Sequence, residues 1–268
     1  MLSAVLLLAP AARGDDSDGA WRNLLMSALA MVSANNLPAA EQLYIKALRQ
    51  AETFGQEDPR VGATLNSLGL VYKAEKKYPD AESSFRHAQG ILEKAYGAES
   101  IDAGNVSFNI ASVLMEENKQ PGAALPYLQR SLFIYQKQFG NQSLKAASVL
   151  CMTGDAYRAM KSWPEAEAPL KQCAQIREEV SGILNPDLGE AANSLALVYK
   201  AEGKYLLADG QFKLAERIRE RSLGIMSPAF ADTLEAHAEM LRALGRDKEA
   251  EKDATLAAAI RRNEQKTK

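Results

Sequence analysis

Two strings decide the fold: LNSLGLVY at residues 65–72 and, after a short turn, YPDAESSFRHA at residues 78–88. In the first string Leu65, Leu68 and Tyr72 recur at a spacing of three or four residues, which places them on one face of a helix. The connecting residues allow only a tight antiparallel turn to a second helix. A single hairpin of this kind cannot bury its own apolar face, so the sequence predicts that several hairpins stack.

The same pattern returns along the chain at a nearly constant spacing. A small residue opens each second helix at steps of 41, 43, 42, 42 and 42 residues: Ala40, Ala81, Ala124, Ala166, Ala208 and Ala250. The first helices carry a second small-residue column: Ala28, Gly69, Ala111, Gly154, Ala196 and Ala238. A glycine, which ends helices by adopting the left-handed conformation, closes most of the hairpins: Gly55, Gly97, Gly140, Gly182 and Gly224. Three columns with one period predict six hairpins.

The pattern resembles the tetratricopeptide repeat, a helix–turn–helix unit. The resemblance is carried by residues 65–72, by NSLALVY at 193–199 and by AEGKY at 201–205. The 42-residue period and a Gly-x-x-x-Pro connector are similar to the kinesin-light-chain subfamily. The resemblance implies an all-α fold, a right-handed α-solenoid of six helical hairpins. The repeats would span about 20–57, 58–100, 101–143, 144–185, 186–227 and 228–265.

Residues 1–19 precede this array. An apolar run that ends in Ala-Pro-Ala resembles a secretory signal peptide, although no Lys or Arg stands before the run. The following DDSDG, residues 15–19, is interpreted as an acidic linker. If the run is a signal peptide, the protein is periplasmic or secreted; if it is only an apolar tail, the protein is cytoplasmic. No stretch is long enough to predict a transmembrane helix.

Composition excludes several classes of function. A net charge of −2 and a pI near 5.9 argue against a nucleic-acid-binding protein, which would carry a basic balance. The two cysteines and two histidines lack the spacing of zinc ligands, so we expect no metal site and no cofactor. Cys173 falls in a small core column and is expected to be a packed free thiol. A disulfide to Cys151 would need their Cα atoms within about 7 Å.

Catalytic motifs are also missing from the sequence. There is no Gly-rich phosphate loop, no Ser/His/Asp arrangement and no His-Glu-x-x-His helix. His87 and His237 are interpreted as structural residues. We therefore expect a scaffold or adaptor that is not an enzyme. The alternative is a regulatory or assembly subunit of a complex whose catalytic chain is separate.

One stripe of the first helices is not explained by the core. In tetratricopeptide arrays it lines the concave groove, so the resemblance makes it the candidate binding surface for an extended peptide. We call it the groove stripe: Asn66, Leu70, Lys73, Phe108, Met115, Arg158, Asn193, Leu197, Lys200 and Arg242. Its asparagines could pair with a peptide backbone, and its cations predict an acidic partner. The competing interpretation is an ordinary solvated helix face.

The first helix is apolar nearly all round, which is unusual for a terminal helix. Leu25, Leu29 and Val32 extend its apolar surface beyond the expected core face. The helix is therefore predicted to pack on the leader segment, on a partner, or on a second copy of the protein.

Overall fold

A computed structural model describes residues 16–116 and 120–267, and in this part of the chain it contains twelve α-helices and no strand. The helices are α1 (Asp16–Ser33), α2 (Leu37–Glu52), α3 (Pro59–Ala74), α4 (Tyr78–Tyr96), α5 (Ile101–Glu116), α6 (Pro121–Phe139), α7 (Leu144–Ala159), α8 (Trp163–Ser181), α9 (Pro186–Ala201), α10 (Tyr205–Leu223), α11 (Pro228–Ala243) and α12 (Asp247–Thr267). Consecutive helices pack as hairpins in the pairs α1–α2, α3–α4, α7–α8, α9–α10 and α11–α12. The prediction of an all-α helical-repeat fold is confirmed.

Local chemistry fixes where the helices start and turn. Asp58, Asn185 and Ser227 each accept a hydrogen bond from the backbone of the helix that follows them, which satisfies a free N–H of its first turn. At the turn between α3 and α4, Lys76 lies in the left-handed region with φ of 61°. The N–H of Lys77 then donates to the carbonyl of Tyr72 at 2.8 Å, closing a Schellman-type turn.

Small residues let the two helices of a hairpin approach closely. Ala81 and Phe85 are fully buried, and a Cβ added at Gly69 would lie only 2.7 Å from the Phe85 ring. Among the glycines of the described helices the closest approach is in the fourth hairpin, where a Cβ at Gly154 would lie 2.4 Å from Leu170 Cγ. The small-residue columns therefore mark the helix crossings, as the sequence predicts.

The chain divides into two compact units, Met1–Ile134 and Tyr135–Lys268, and the boundary falls inside α6. In the first unit a core cluster joins the first two hairpins through Ala40, Tyr44 and Leu68. In the second unit a larger cluster runs from Leu170 in α8 through Phe212 in α10 to later helices.

Helix α1 begins at Asp16, so residues 16–19 are helical rather than the predicted linker. Asp18 explains the difference, because its carboxylate accepts hydrogen bonds from Arg22 and, at 3.0 Å, from Arg60 of α3. The buried Trp21 indole donates to Thr64 Oγ1, also on α3, at 3.0 Å. These contacts tie the start of α1 to the next hairpin.

Much of the apolar surface of α1 packs inside its own unit. Leu25 and Val32 contact the cluster that contains Ala28 and Tyr44. Met26, by contrast, is 56% exposed. Leu25 and Val32 therefore give less reason to expect self-association than the sequence indicates. Self-association through Leu25, Leu29 and Val32 stays a prediction.

The expectation of a free thiol at Cys173 is wrong. Cys151 of α7 and Cys173 of α8 form a disulfide, with their Cα atoms 5.4 Å apart. The pairing is possible because the close approach of Gly154 to Leu170, one turn from each cysteine, brings the two helices together. Cys173 is fully buried, so the bond lies inside the fourth hairpin.

The segment predicted as a possible signal peptide, residues 1–14, and the first linker residue, Asp15, lie outside the described part of the chain. Among the helices that are described, none combines the length and the hydropathy needed to cross a bilayer.

Candidate functional site

The first helices of successive hairpins contact each other within each unit: α3 with α5 in the first, and α7, α9 and α11 in order in the second. The groove stripe lies on these helices. Each unit thus brings its own members of the stripe together, five in the first unit and five in the second.

In the first unit the polar members of the stripe already have partners. Asn109 Nδ2 donates to Asn66 Oδ1 at 2.9 Å, and Asn66 is only 8% exposed. Lys73 Nζ forms an ion pair with Glu116 at 2.9 Å. Leu70, Phe108 and Met115 are partly exposed: Leu70 in α3, the other two in α5. The part of the groove stripe that this unit leaves accessible is therefore mainly apolar.

The second unit holds a similar ladder of contacts between its first helices. Arg158 Nε lies 3.1 Å from Asp155, which also accepts a hydrogen bond from Ser194 Oγ at 2.8 Å. Lys200 Nζ pairs with Glu239 of the next hairpin at 2.7 Å. Three of the four predicted cations, counting Lys73, therefore carry acidic partners of the chain itself, which weakens the expectation of an acidic ligand.

Asn193 differs from its equivalent, Asn66. Its Oδ1 is buried and has no hydrogen-bond partner among the described residues, because Ala236 stands where Asn109 stands in the earlier repeat. An unsatisfied buried acceptor costs about 1–3 kcal/mol. Leu197, one turn further on, is partly exposed. This pair is the part of the stripe that the fold leaves unexplained.

Arg242 ends the stripe and is exposed. It lines an open cavity of about 380 Å³ between α11 and α12, whose floor includes Ala238, Ala254 and Ala257. Arg261, on the same cavity, is held by ion pairs to neighbouring acids. Within the described chain Arg242 has no such pair, so it is the one cation of the stripe that is free to meet a ligand.

Another cluster was not predicted. His237 of α11 is only 2% exposed and stacks on Phe212 with ring centroids 5.2 Å apart. Its Nδ1 lies 2.6 Å from Glu216 and 3.2 Å from Asp253, and its Nε2 lies 3.2 Å from Asp209. We call His237, Glu216, Asp253 and Asp209 the His237 cluster.

The electrostatics of this cluster favour positive charge at its centre. Burial opposes a charged imidazole, but hydrogen bonds to Asp253 and Glu216 outweigh it and raise the pKa of His237 from 6.5 to about 10. Burial also opposes the charge of Asp209, yet Lys213 and Arg246 lower the pKa of this carboxyl to about 2.

The sequence does contain a signal for the cluster. His237 occupies the position that Leu68, Ile110 and Leu195 fill in α3, α5 and α9. A histidine at this mostly aliphatic position, where α7 has Thr153, needs polar neighbours, but which carboxylates supply them depends on helix packing.

Known proteins with similar sequences and folds identify the repeat. The tetratricopeptide-repeat family profile matches residues 22–94 and 102–179, more than half of the chain. A TPR repeat-containing protein of Dictyostelium discoideum is 29% identical over 101 residues, which is 37% of this chain and only 6% of that protein.

Two solved structures show the same fold. A Podosopora anserina putative kinesin light chain with nearly identical TPR-like repeats has a TM-score of 0.64 at 20% identity, over 76% of this chain and 95% of that one. A Rap protein complexed with competence and sporulation factor has a TM-score of 0.59 at 18% identity, over 92% of this chain and 76% of that one. The chain therefore belongs to the tetratricopeptide-repeat family, and its hairpins fold like repeats of the kinesin-light-chain type.

Proposed function

We propose that the protein is a scaffold or adaptor that binds an extended segment of another protein along the groove stripe of its second unit. The family as a whole supports protein–protein interaction. The Rap structure, which is a complex with competence and sporulation factor, supports a fold that can hold a partner.

Asn193 carries the proposal. The side chain of Asn193 is partly exposed, but its Oδ1 is buried and has no donor among the described residues. Turning this amide toward the groove would therefore break no hydrogen bond of Oδ1, and an extended peptide backbone presents one N–H every residue. Leu197 lies one turn away on the same helix and offers apolar contact to a side chain of the same segment. A bound peptide would therefore satisfy an acceptor that the free protein leaves without a partner.

Charge has a smaller part in this recognition than the sequence predicts. Lys200 and Arg158 would have to exchange an existing acidic partner for an acidic ligand, with little net gain. Arg242 is the exception, because it has no such partner in the described chain. We propose that an acidic residue of the ligand, if present, lies at the Arg242 end.

The test is a peptide-display selection on the full chain, followed by affinity measurements on the best peptide by fluorescence polarisation. Asn193→Ala should weaken binding by about tenfold, the value of one hydrogen bond. Asn66→Ala is the matched control, because Asn66 Oδ1 is already satisfied by Asn109. Equal losses in both variants, or a selection that yields no peptide, would contradict the proposal.

A second arm tests the charge. Reversing Lys73 and Lys200 together to Glu should leave the affinity nearly unchanged if these cations serve the fold, and Arg242→Glu should reduce the salt dependence of binding. A large loss from the double variant would instead restore the acidic-peptide interpretation of the whole stripe.

The disulfide supports a proposal on compartment. Disulfides persist in oxidising compartments and are rare in the cytosol. Because Cys151 and Cys173 are paired, we propose that the protein works in the periplasm or outside the cell. Thiol labelling of protein taken from its native compartment checks this, since two labelled cysteines per chain would contradict it.

A further inference from the structure

The His237 cluster departs from the repeat at three positions at once. Around Leu195, the equivalent of His237 in the preceding hairpin, the residues equivalent to Glu216 and Asp253 are Ala174 and Gln211. Only at the last hairpin do the three positions hold a histidine and two carboxylates. Burying a histidine and two carboxylates in the core destabilises the fold unless their charges are paired.

The hydrogen bonds of the cluster leave one carboxylate short of a donor. The Nδ1–H of His237 faces Glu216 at 2.6 Å and Asp253 at 3.2 Å, and a single N–H cannot serve both fully. In the described chain neither carboxylate has a second cationic partner. Two carboxylates thus converge on one imidazole nitrogen, and their ligand atoms all lie within 4.8 Å of one another.

We propose that Glu216, His237 and Asp253 form a binding site for one divalent transition-metal ion, with Zn²⁺ as the best match. One imidazole nitrogen and two carboxylate oxygens are ligands that zinc accepts at about 2.0–2.2 Å. With a neutral imidazole, the two carboxylates give the site a charge of −2, and a divalent ion neutralises all of it. A protonated imidazole carries only +1 and neutralises half of the charge of the two carboxylates.

The far side of the imidazole is already arranged as in a metal site. His237 Nε2 faces Asp209 Oδ1 at 3.2 Å. Asp209 is held in turn by Arg246 at 2.7 Å and by Lys213 at 2.7 Å. A carboxylate on the distal nitrogen fixes the tautomer that leaves Nδ1 free for a metal. Asp209 is therefore the positioning residue of the site.

The placement of the ligands suggests a structural role for the ion. Glu216 is on α10, His237 on α11 and Asp253 on α12, so one ion would join three consecutive helices. The carboxylate side chains are 19% and 15% exposed while the imidazole is 3% exposed, which gives the ion an entry path from solvent. Three protein ligands leave a fourth position for water.

The experiment uses the full chain after treatment with a chelator and dialysis. Titration with Zn²⁺ alone, followed by calorimetry, should show one ion per chain, and Co²⁺ should give the visible absorption of a low-symmetry site. Zinc should also raise the Tm. No binding near neutral pH, with the Tm unmoved, would show that the imidazolium is the only cation of the cluster and would overturn the proposal.

Two near-isosteric variants keep the result interpretable if other sites bind zinc weakly. Asp253→Asn should lower the zinc affinity by at least tenfold, and Asp209→Asn by about 10–100-fold through lost positioning of the imidazole. Glu251→Gln, on the exposed face of α12, is the matched control and should bind like the wild type. Equal affinities for Asp253→Asn and Glu251→Gln would place the ion elsewhere and overturn the assignment.

Discussion

Replacing Gly154 by Ala tests whether the small-residue columns set the distance between paired helices. The new Cβ would lie 2.4 Å from Leu170 Cγ, 2.8 Å from its Cδ2 and 3.2 Å from the Ala166 carbonyl oxygen. Comfortable carbon contacts need about 3.5–4.0 Å, so one helix would have to move by more than about 1 Å. Leu170 is fully buried, and the Cys151–Cys173 bond one turn away holds the helices together.

Two opposing terms decide the magnitude of this effect. Overpacking lowers the free energy of unfolding by about 1–3 kcal/mol. Replacing Gly by Ala inside a helix raises it by about 0.8–1.0 kcal/mol. Gly210→Ala in α10 isolates the second term, because nothing lies within 4 Å of a Cβ at that exposed position. Gly154→Ala should therefore be less stable than Gly210→Ala by about 1–3 kcal/mol.

Urea unfolding followed by far-UV circular dichroism measures the difference, provided that the two variants share one m-value. Heating should show a gap of roughly 2–4 °C per kcal/mol in a chain of this size. If the two variants gain the same stability, the helices at Gly154 are not closely packed, and the interpretation of the whole column is wrong.

Three further predictions follow from the turns, the buried charges and the first helix. Lys76→Gly should raise the free energy of unfolding by up to about 1 kcal/mol, because the backbone of Lys76 is in the left-handed region. Gly203→Ala at the equivalent turn should lower the free energy of unfolding by a similar amount. Urea unfolding measures both changes. Arg219→Met should destabilise the protein by about 1–3 kcal/mol in the same assay, because the buried guanidinium donates to the Ala229 carbonyl at 2.6 Å; a neutral result would show that water replaces it. If α1 mediates self-association, sedimentation should show a dimer that Leu29→Glu converts to monomer, whereas a monomer in both proteins would remove that prediction.

The sequence predicts the helices well because their determinants are local. Within each hairpin, local spacing places Ala81 and its equivalents on the inner face of the second helix. The glycine that follows the helix marks its end. Both signals depend only on residues a turn or two apart. The core positions of Leu65 and Phe85 follow from the same spacing. The start of α1 was missed because Asp18 is held by Arg60, which is 42 residues away.

The candidate sites were less predictable because they depend on which side chains meet. Asn66 and Asn193 read alike in the sequence, yet only Asn66 gains a partner, from the next hairpin. The Cys151–Cys173 bond and the convergence of three acids on His237 depend on helix separations that residue spacing does not specify.

The Cys151–Cys173 bond also changes how the protein would respond to mechanical force. In an array pulled from its two ends, each hairpin can unravel and lengthen the chain by about 3.3–3.6 Å per residue. The bond bridges residues 22 apart, so the fourth hairpin would withhold about 75 Å of that extension. Force would pass through the sulfur atoms instead of the turn, and a protease cut between α7 and α8 would leave the chain in one covalent piece.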